Sequence, residues 1–154
     1  MYEAVHAHPD GDATVARHAA TAARYGYDGI VVRTRDALAP AGGDGESDRG
    51  GADDGPPAAA DLREEYGVDV VDAVEIDVDD ATSASGAVGN YRPGRTVVCL
   101  VGGDDGLNRF GVEEPRVDVL ARPMDGPGGF NHVLAKAARD NGVHVEFDLG
   151  PLLR

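Results

Sequence analysis

Three places in the chain repeat one local pattern, and that pattern narrows the possible folds more than any other feature. A helix-like stretch runs into Tyr or Asn, then Gly, then a β-branched or aromatic residue: Tyr25-Gly26-Tyr27, Tyr66-Gly67-Val68 and Asn141-Gly142-Val143. Glycine just past a helix C-terminus takes the left-handed conformation without a Cβ clash, satisfies the last carbonyls and turns the chain into the next element. Each instance therefore marks a helix-to-strand junction. Short, Val-rich runs come next at Gly29 to Thr34, Asp69 to Asp77 and Val143 to Asp148, and three more read the same way: Tyr2 to His8, Thr96 to Gly102 and Val117 to Ala121. Nearly continuous apolar character suits strands covered on both faces. Helices are expected at Ala13 to Tyr25, Ala59 to Tyr66, Leu107 to Glu113 and Asn131 to Asn141. The first has Asp12 available as N-cap and sets Val15, Ala19 and Ala22 on one face. Alternation at this spacing implies parallel strands joined by right-handed crossovers, the α/β class.

Two stretches lie outside this framework. Residues 39 to 57 hold nine glycines and prolines among acids and no large apolar side chain, so they cannot bury enough surface to order themselves and read as a floppy acidic loop. Asp79 to Arg95, with Ser83-Ala84-Ser85-Gly86 and Tyr91-Arg92-Pro93-Gly94-Arg95, reads as a surface connection. At 154 residues the whole chain, 1 to 154, is expected to form one domain.

Charge restricts the surroundings. There are 28 acidic against 14 basic residues, and the basic ones comprise thirteen arginines and a single lysine, Lys136. Twenty of the acids are Asp. A surface of short, strongly hydrated carboxylates fits a cytoplasm at molar salt: at about 1 M the Debye length is roughly 3 Å, so a formal charge of -14 repels itself little there. No apolar run approaches a membrane span and no leader-like segment is present, so a soluble cytoplasmic protein with no membrane partner is expected. Cys99 is the only cysteine and lies within the apolar run Val97 to Val101, where it serves as buried filler.

In a parallel barrel, functional groups collect at the C-terminal ends of the strands. Here those ends carry His6 and His8, Arg33, Glu75, Gly102-Gly103-Asp104, Arg122 and Asp148. Alternation along the first strand points both imidazoles to one side, and with Glu75 they could begin a Zn, Mn or Fe site. Against that stands a plain structural role, because three ligands are few for two-metal hydrolysis. His18 and His144 read as ordinary surface or strand residues, and His132, near the start of a helix, carries at best a modest signal of a specific role. Gly102 to Gly106 lies where phosphate loops occur but has two acids and no Lys-Ser/Thr, so a tight turn is expected. No serine nucleophile elbow is present. Residues 1 to 80 hold 6 basic and 19 acidic side chains, whereas residues 81 to 154 hold 8 and 9. If nucleic acid is touched, it is expected at the nearly neutral later half, whose basic residues are Arg92, Arg95, Arg109, Arg116, Arg122, Lys136, Arg139 and Arg154, with Arg92, Arg95, Arg109, Arg122 and Lys136 as the candidates; pairing with neighbouring carboxylates is the alternative for each.

Several pieces occur together and in order: Met1-Tyr2-Glu3-Ala4-Val5-His6, Gly29-Ile30-Val31-Val32-Arg33, Gly102-Gly103-Asp104 with Leu107-Asn108-Arg109, Val117-Asp118-Val119-Leu120 before Pro123-Met124, Asn131-His132-Val133-Leu134-Ala135-Lys136 and Val145-Glu146-Phe147. The set resembles the archaeal ribonuclease P protein component 3 family in its extreme-halophile form. That resemblance implies a TIM-type (β/α) barrel related to the polymerase and histidinol phosphatase superfamily, acting as a non-catalytic subunit. The RNA of the complex, with its Mg, removes 5′ leaders from precursor tRNA; this chain would bind no cofactor, support that RNA and pair with protein component 2. The resemblance also places His6, His8 and Glu75 at superfamily metal positions. Arg122 stands where a later histidine ligand is expected and the C-terminal Asp-x-His is missing, which favours an RNA-binding scaffold over the alternative, a metal-dependent phosphoesterase. Six strands against the family's eight imply an incomplete barrel, either a fragment or a short form. Unpaired edges on the first and sixth strands lead us to expect low stability of the isolated chain, with broad thermal unfolding by circular dichroism; a sharp two-state transition is the contrary result.

Overall fold

A computed structural model describes residues 1 to 39 and 55 to 150. Most of the stretch expected to be a floppy loop, residues 40 to 54, lies outside the described residues. Six strands follow one another in the order β1-β2-β3-β4-β5-β6, all parallel and alternating with helices. This is the repeating pattern of an α/β barrel, with six strands and five helices among the described residues where a closed barrel has eight of each. By internal contacts the chain divides into two compact units, Met1–Ala73 and Val74–Arg154.

The first unit contains β1 (Tyr2–Val5), α1 (Val15–Tyr25), β2 (Gly29–Val32), α2 (Ala59–Tyr66) and the start of β3 (Asp69–Ile76). Tyr2 pairs with Gly29 and Gly29 with Asp69 at the head of the two ladders. Val15, Ala19 and Ala22 are the buried face of α1, as their spacing requires, and they pack with Val5, Ile30, Val32, Leu62 and Val70. Thr14, not Asp12, caps α1, its hydroxyl accepting from the Arg17 amide at 3.3 Å. The helix starts later than its alanines suggested, so the cap moves with it.

The second unit holds the rest of β3, then α3 (Ala81–Tyr91), a short 3-10 turn (Arg92–Gly94), β4 (Val97–Val101), α4 (Asp105–Glu113), β5 (Val119–Ala121), α5 (His132–Asn141) and β6 (His144–Glu146). Cys99 pairs with Val119 and Val119 with His144; Cys99 is fully buried, as expected of filler. Leu100, Leu120, Val98, Val112, Val88 and Ala138 form the core.

All three expected junction glycines are left-handed, with φ of 76° at Gly26, 70° at Gly67 and 73° at Gly142. The stretch Asp79 to Arg95 is the main correction, because most of it is helix α3 and not a surface connection. Asp80 caps it, accepting from the Ser83 amide at 2.9 Å and from the Ser83 hydroxyl at 3.1 Å. Only Ala84 and Val88 are buried on it. With two small anchors among Ser, Thr and Gly, propensity alone reads as turn; packing decides otherwise.

Candidate nucleic-acid interface

The β4-to-α4 and β5-to-α5 loops meet beyond the C-terminal ends of their strands, within the second unit. Asp104 caps α4, its carboxylate accepting from the amides of Gly106 at 2.8 Å and Leu107 at 3.2 Å, so the expected tight turn is also a helix start. The Gly128 amide donates to the Gly103 carbonyl at 2.7 Å, and the Gly129 amide to the Asp105 carboxylate at 2.8 Å. Asn108, fully buried on α4, joins the two loops. Its Oδ1 accepts from the Gly103 amide at 3.0 Å, and its Nδ2 donates to the carbonyls of Pro123 at 2.8 Å and Gly129 at 3.2 Å. A Cβ on Gly102 would overlap Asn108 Oδ1, and one on Gly126 would overlap the Gly103 carbonyl; the glycines are there because backbone and amide approach so closely.

Arg122 ends β5 in this setting. It takes φ of 52°, a left-handed conformation that a non-glycine residue adopts only where its surroundings hold it. Its backbone amide donates to the Glu146 carbonyl at 2.8 Å, while Nη2 reaches Glu75 Oε1, also at 2.8 Å. Glu75 is 15% exposed and Arg122 37%. A cavity of about 300 Å³ opens beside them, lined by Arg122, Asp77, Asp104, Asp125, Gly103 and Gly126 among others.

The other RNA-binding candidates do not gather there. Arg92 opens the 3-10 turn before β4 and Arg95 follows it, at the opposite ends of the strands. Arg92 pairs with Asp118, whose carboxylate also accepts from the Val98 amide at 2.8 Å, and Arg95 is half-buried and engaged. Arg109 lies on the exposed side of α4, paired with Glu113 at 3.2 Å. Lys136, exposed on α5, has no ion pair among the described residues. Sequence reasoning passed over Asn108 as a site residue, although an Asn two residues into an apolar helical face after Gly-Gly-Asp is a signal of a buried polar task. Arg116, another basic residue of the later half, grips Glu114 through Nε at 2.7 Å and Nη2 at 3.0 Å.

That grip holds the Glu114 carboxyl below the usual carboxylate range, chiefly through the Arg116 hydrogen bonds. A folded pKa below the unfolded one contributes stability above the unfolded pKa and loses it as pH falls through the folded value. Glu114→Gln is therefore expected to flatten the dependence of Tm on pH across the acid range, with a smaller Tm difference from wild type in acid than at neutrality. Parallel Tm-pH curves for the two proteins would contradict the assignment.

Of the alternative metal set, His6 and His8 belong to the first unit and Glu75 to the second. Strand β1 stops at Val5, so His6 and His8 follow it in a loop rather than projecting from the strand, although Ala7 between them is buried and both imidazoles are exposed. Glu75 is held by Arg122. Among the described residues no group of three or more His, Cys, Asp or Glu is placed to hold a metal ion. His132 and His144 are exposed, and His18 is half-buried on α1. No helix among the described residues is long and apolar enough to cross a membrane.

Comparison with known proteins adds to this geometry. The family model of RNase P subunit p30 matches residues 1 to 154. The chain is 79% identical to Ribonuclease P protein component 3 of Halorubrum lacusprofundi, over all of its own length and 60% of that protein's, and 57% identical to the protein of the same description from Haloarcula marismortui, over 59% of that protein. The chain thus spans about three fifths of these relatives, which come from halophilic archaea. Among solved structures, a chain of a cryo-EM structure of archaeal Ribonuclease P with mature tRNA matches all of this chain and 60% of its own length, with a TM-score of 0.66 and 20% identity. With a full-length family match and identities this high, the chain belongs to the RNase P subunit p30 family.

Proposed function

We propose that this chain serves in ribonuclease P as a protein subunit that binds and supports the RNA, without cleaving precursor tRNA itself. The family match over the full 154 residues carries the reading. The arginines of the second unit support it: several are pre-oriented by carboxylates, and a guanidinium held in place loses less freedom on meeting phosphate or a base edge. Mg serves the RNA of the complex, and protein component 2 is the protein neighbour. At molar salt the counterion-release contribution to RNA binding is largely lost, so recognition rests on a few arginines, shape and partner contacts.

RNA binding by the chain alone should accordingly be weak, rising when component 2 is added. The decisive measurement is capture of ribonuclease P RNA from a native extract at molar salt with the tagged chain. Enrichment over bulk RNA is the expected result, and recovery of none would sink the proposal.

A further inference from the structure

The cavity beside Arg122 has a chemistry that phosphate does not fit. Asp77, Asp104 and Asp125 line it together with Arg122, and although the Asp104 carboxylate is engaged as the α4 cap, acidic residues outnumber the one guanidinium around any phosphate that enters. Its volume of about 300 Å³ is at the low end of small-ligand sites, roughly 300 to 1,000 Å³, room for one planar heterocycle. The guanidinium is held in place. Glu75 anchors Arg122 through Nη2 alone, and its remaining guanidinium nitrogens have no partner among the described residues. Asp77 is exposed at the end of β3. The loops that form the wall are locked by Asn108 and by the Gly103–Gly128 hydrogen bond.

An occupant must therefore offer hydrogen-bond donors to carboxylates and acceptors to a guanidinium while carrying no negative charge in the pocket. Among the nucleobases guanine does so best: N1–H and the N2 amine suit a carboxylate, and O6 with N7 suits arginine. Adenine and cytosine each present one exocyclic amine, and uracil presents none. Unstacked bases of single-stranded RNA are the elements that proteins read along these edges.

We propose that this cavity receives one unstacked guanine of a bound RNA, with Arg122 on O6 and N7 and the Asp77 carboxylate on N1–H and N2. The inference rests on the RNA-binding reading above and assigns a base-specific contact to it. Arg122 thereby acquires a reason for its left-handed backbone, which delivers the side chain to Glu75 and the cavity at once.

The test is an NMR titration of the chain in molar KCl with guanosine 5′-monophosphate, inosine 5′-monophosphate, which lacks the N2 amine, and adenosine 5′-monophosphate. Saturable shifts of the Gly103, Gly126 and Arg122 amides are expected with the guanine nucleotide, and binding about tenfold weaker with the inosine one, the scale of a lost specific base contact. Asp77→Asn, at an exposed position that leaves the Arg122–Glu75 pair intact, should remove the preference for guanosine over inosine. Equal response to all three nucleotides, no saturable response, or shifts with an arginine-rich peptide in place of a nucleotide would overturn the proposal. Capture of ribonuclease P RNA in the same buffer separates the two readings: RNA recovered without guanine preference removes only this site, whereas no RNA recovered removes the RNA-binding function.

Discussion

Asn108→Asp is expected to lower the stability of the chain by about 3 kcal/mol at neutral pH, despite changing almost no volume. Asp keeps the acceptor for the Gly103 amide but loses both donations, to Pro123 and to Gly129. It aims a carboxylate at two carbonyl oxygens in a fully buried place. Each orphaned buried acceptor costs about 1 to 3 kcal/mol, and an unpaired charge costs more unless it takes up a proton. Burial should raise the new carboxyl above its unfolded pKa, so the loss grows as pH rises past about 4 and shrinks in acid. For a chain of this length 3 kcal/mol corresponds to a Tm drop of about 10 °C, readable by circular dichroism in molar KCl. A drop of under about 2 °C at neutral pH, against that scale, would mean that Asn108 does not bind the two loops together.

Leu120→Ala should cost about 3 kcal/mol by a different route. Leu120 is fully buried in the centre of β5, and one of its methyls lies close enough to Gly111 that a Cβ there would approach it to 2.8 Å. Truncation removes apolar burial and leaves a cavity that the glycine cannot fill, and Leu-to-Ala core changes cost about 2 to 5 kcal/mol. Leu120 belongs to the core cluster of the second unit, and the damage is expected to stay within that unit. Hydrogen exchange is expected to show lost protection at the β4 and β5 amides, Val98 to Val101 and Val119 to Ala121, with β1 and β2 unchanged. Uniform loss across all strands would show instead that the chain unfolds as one cooperative block.

How legible these features were depended on which scale of interaction placed them. Local steric rules placed the junctions at Gly26, Gly67 and Gly142, since only a residue without Cβ takes those φ values cheaply, and the apolar runs placed every strand to within a few residues. α3 was missed because its stability comes from Ala84 and Val88 packing into a core that no window of sequence contains. Apolar alternation continuing through Ala7 carries a strand reading to His6 and His8, yet pairing with β2 stops at Val5 and Val32. Glu75 and Arg122 were both singled out from their places at strand ends. Their 2.8 Å contact was out of reach, because two residues 47 positions apart meet only through sheet order and a left-handed backbone. Asn108 was hardest to see: a buried amide's importance lies in which carbonyls surround it.

The three closing glycines have an architectural consequence. Three of the five described helices, α1, α2 and α5, pass the chain to the next strand through the same joint, with φ within a few degrees of 73° at Gly26, Gly67 and Gly142, so these joints carry no information about which module comes next. A fold assembled this way can be lengthened, shortened or recombined in whole strand-and-helix steps, each new step needing a good apolar face but no new hinge.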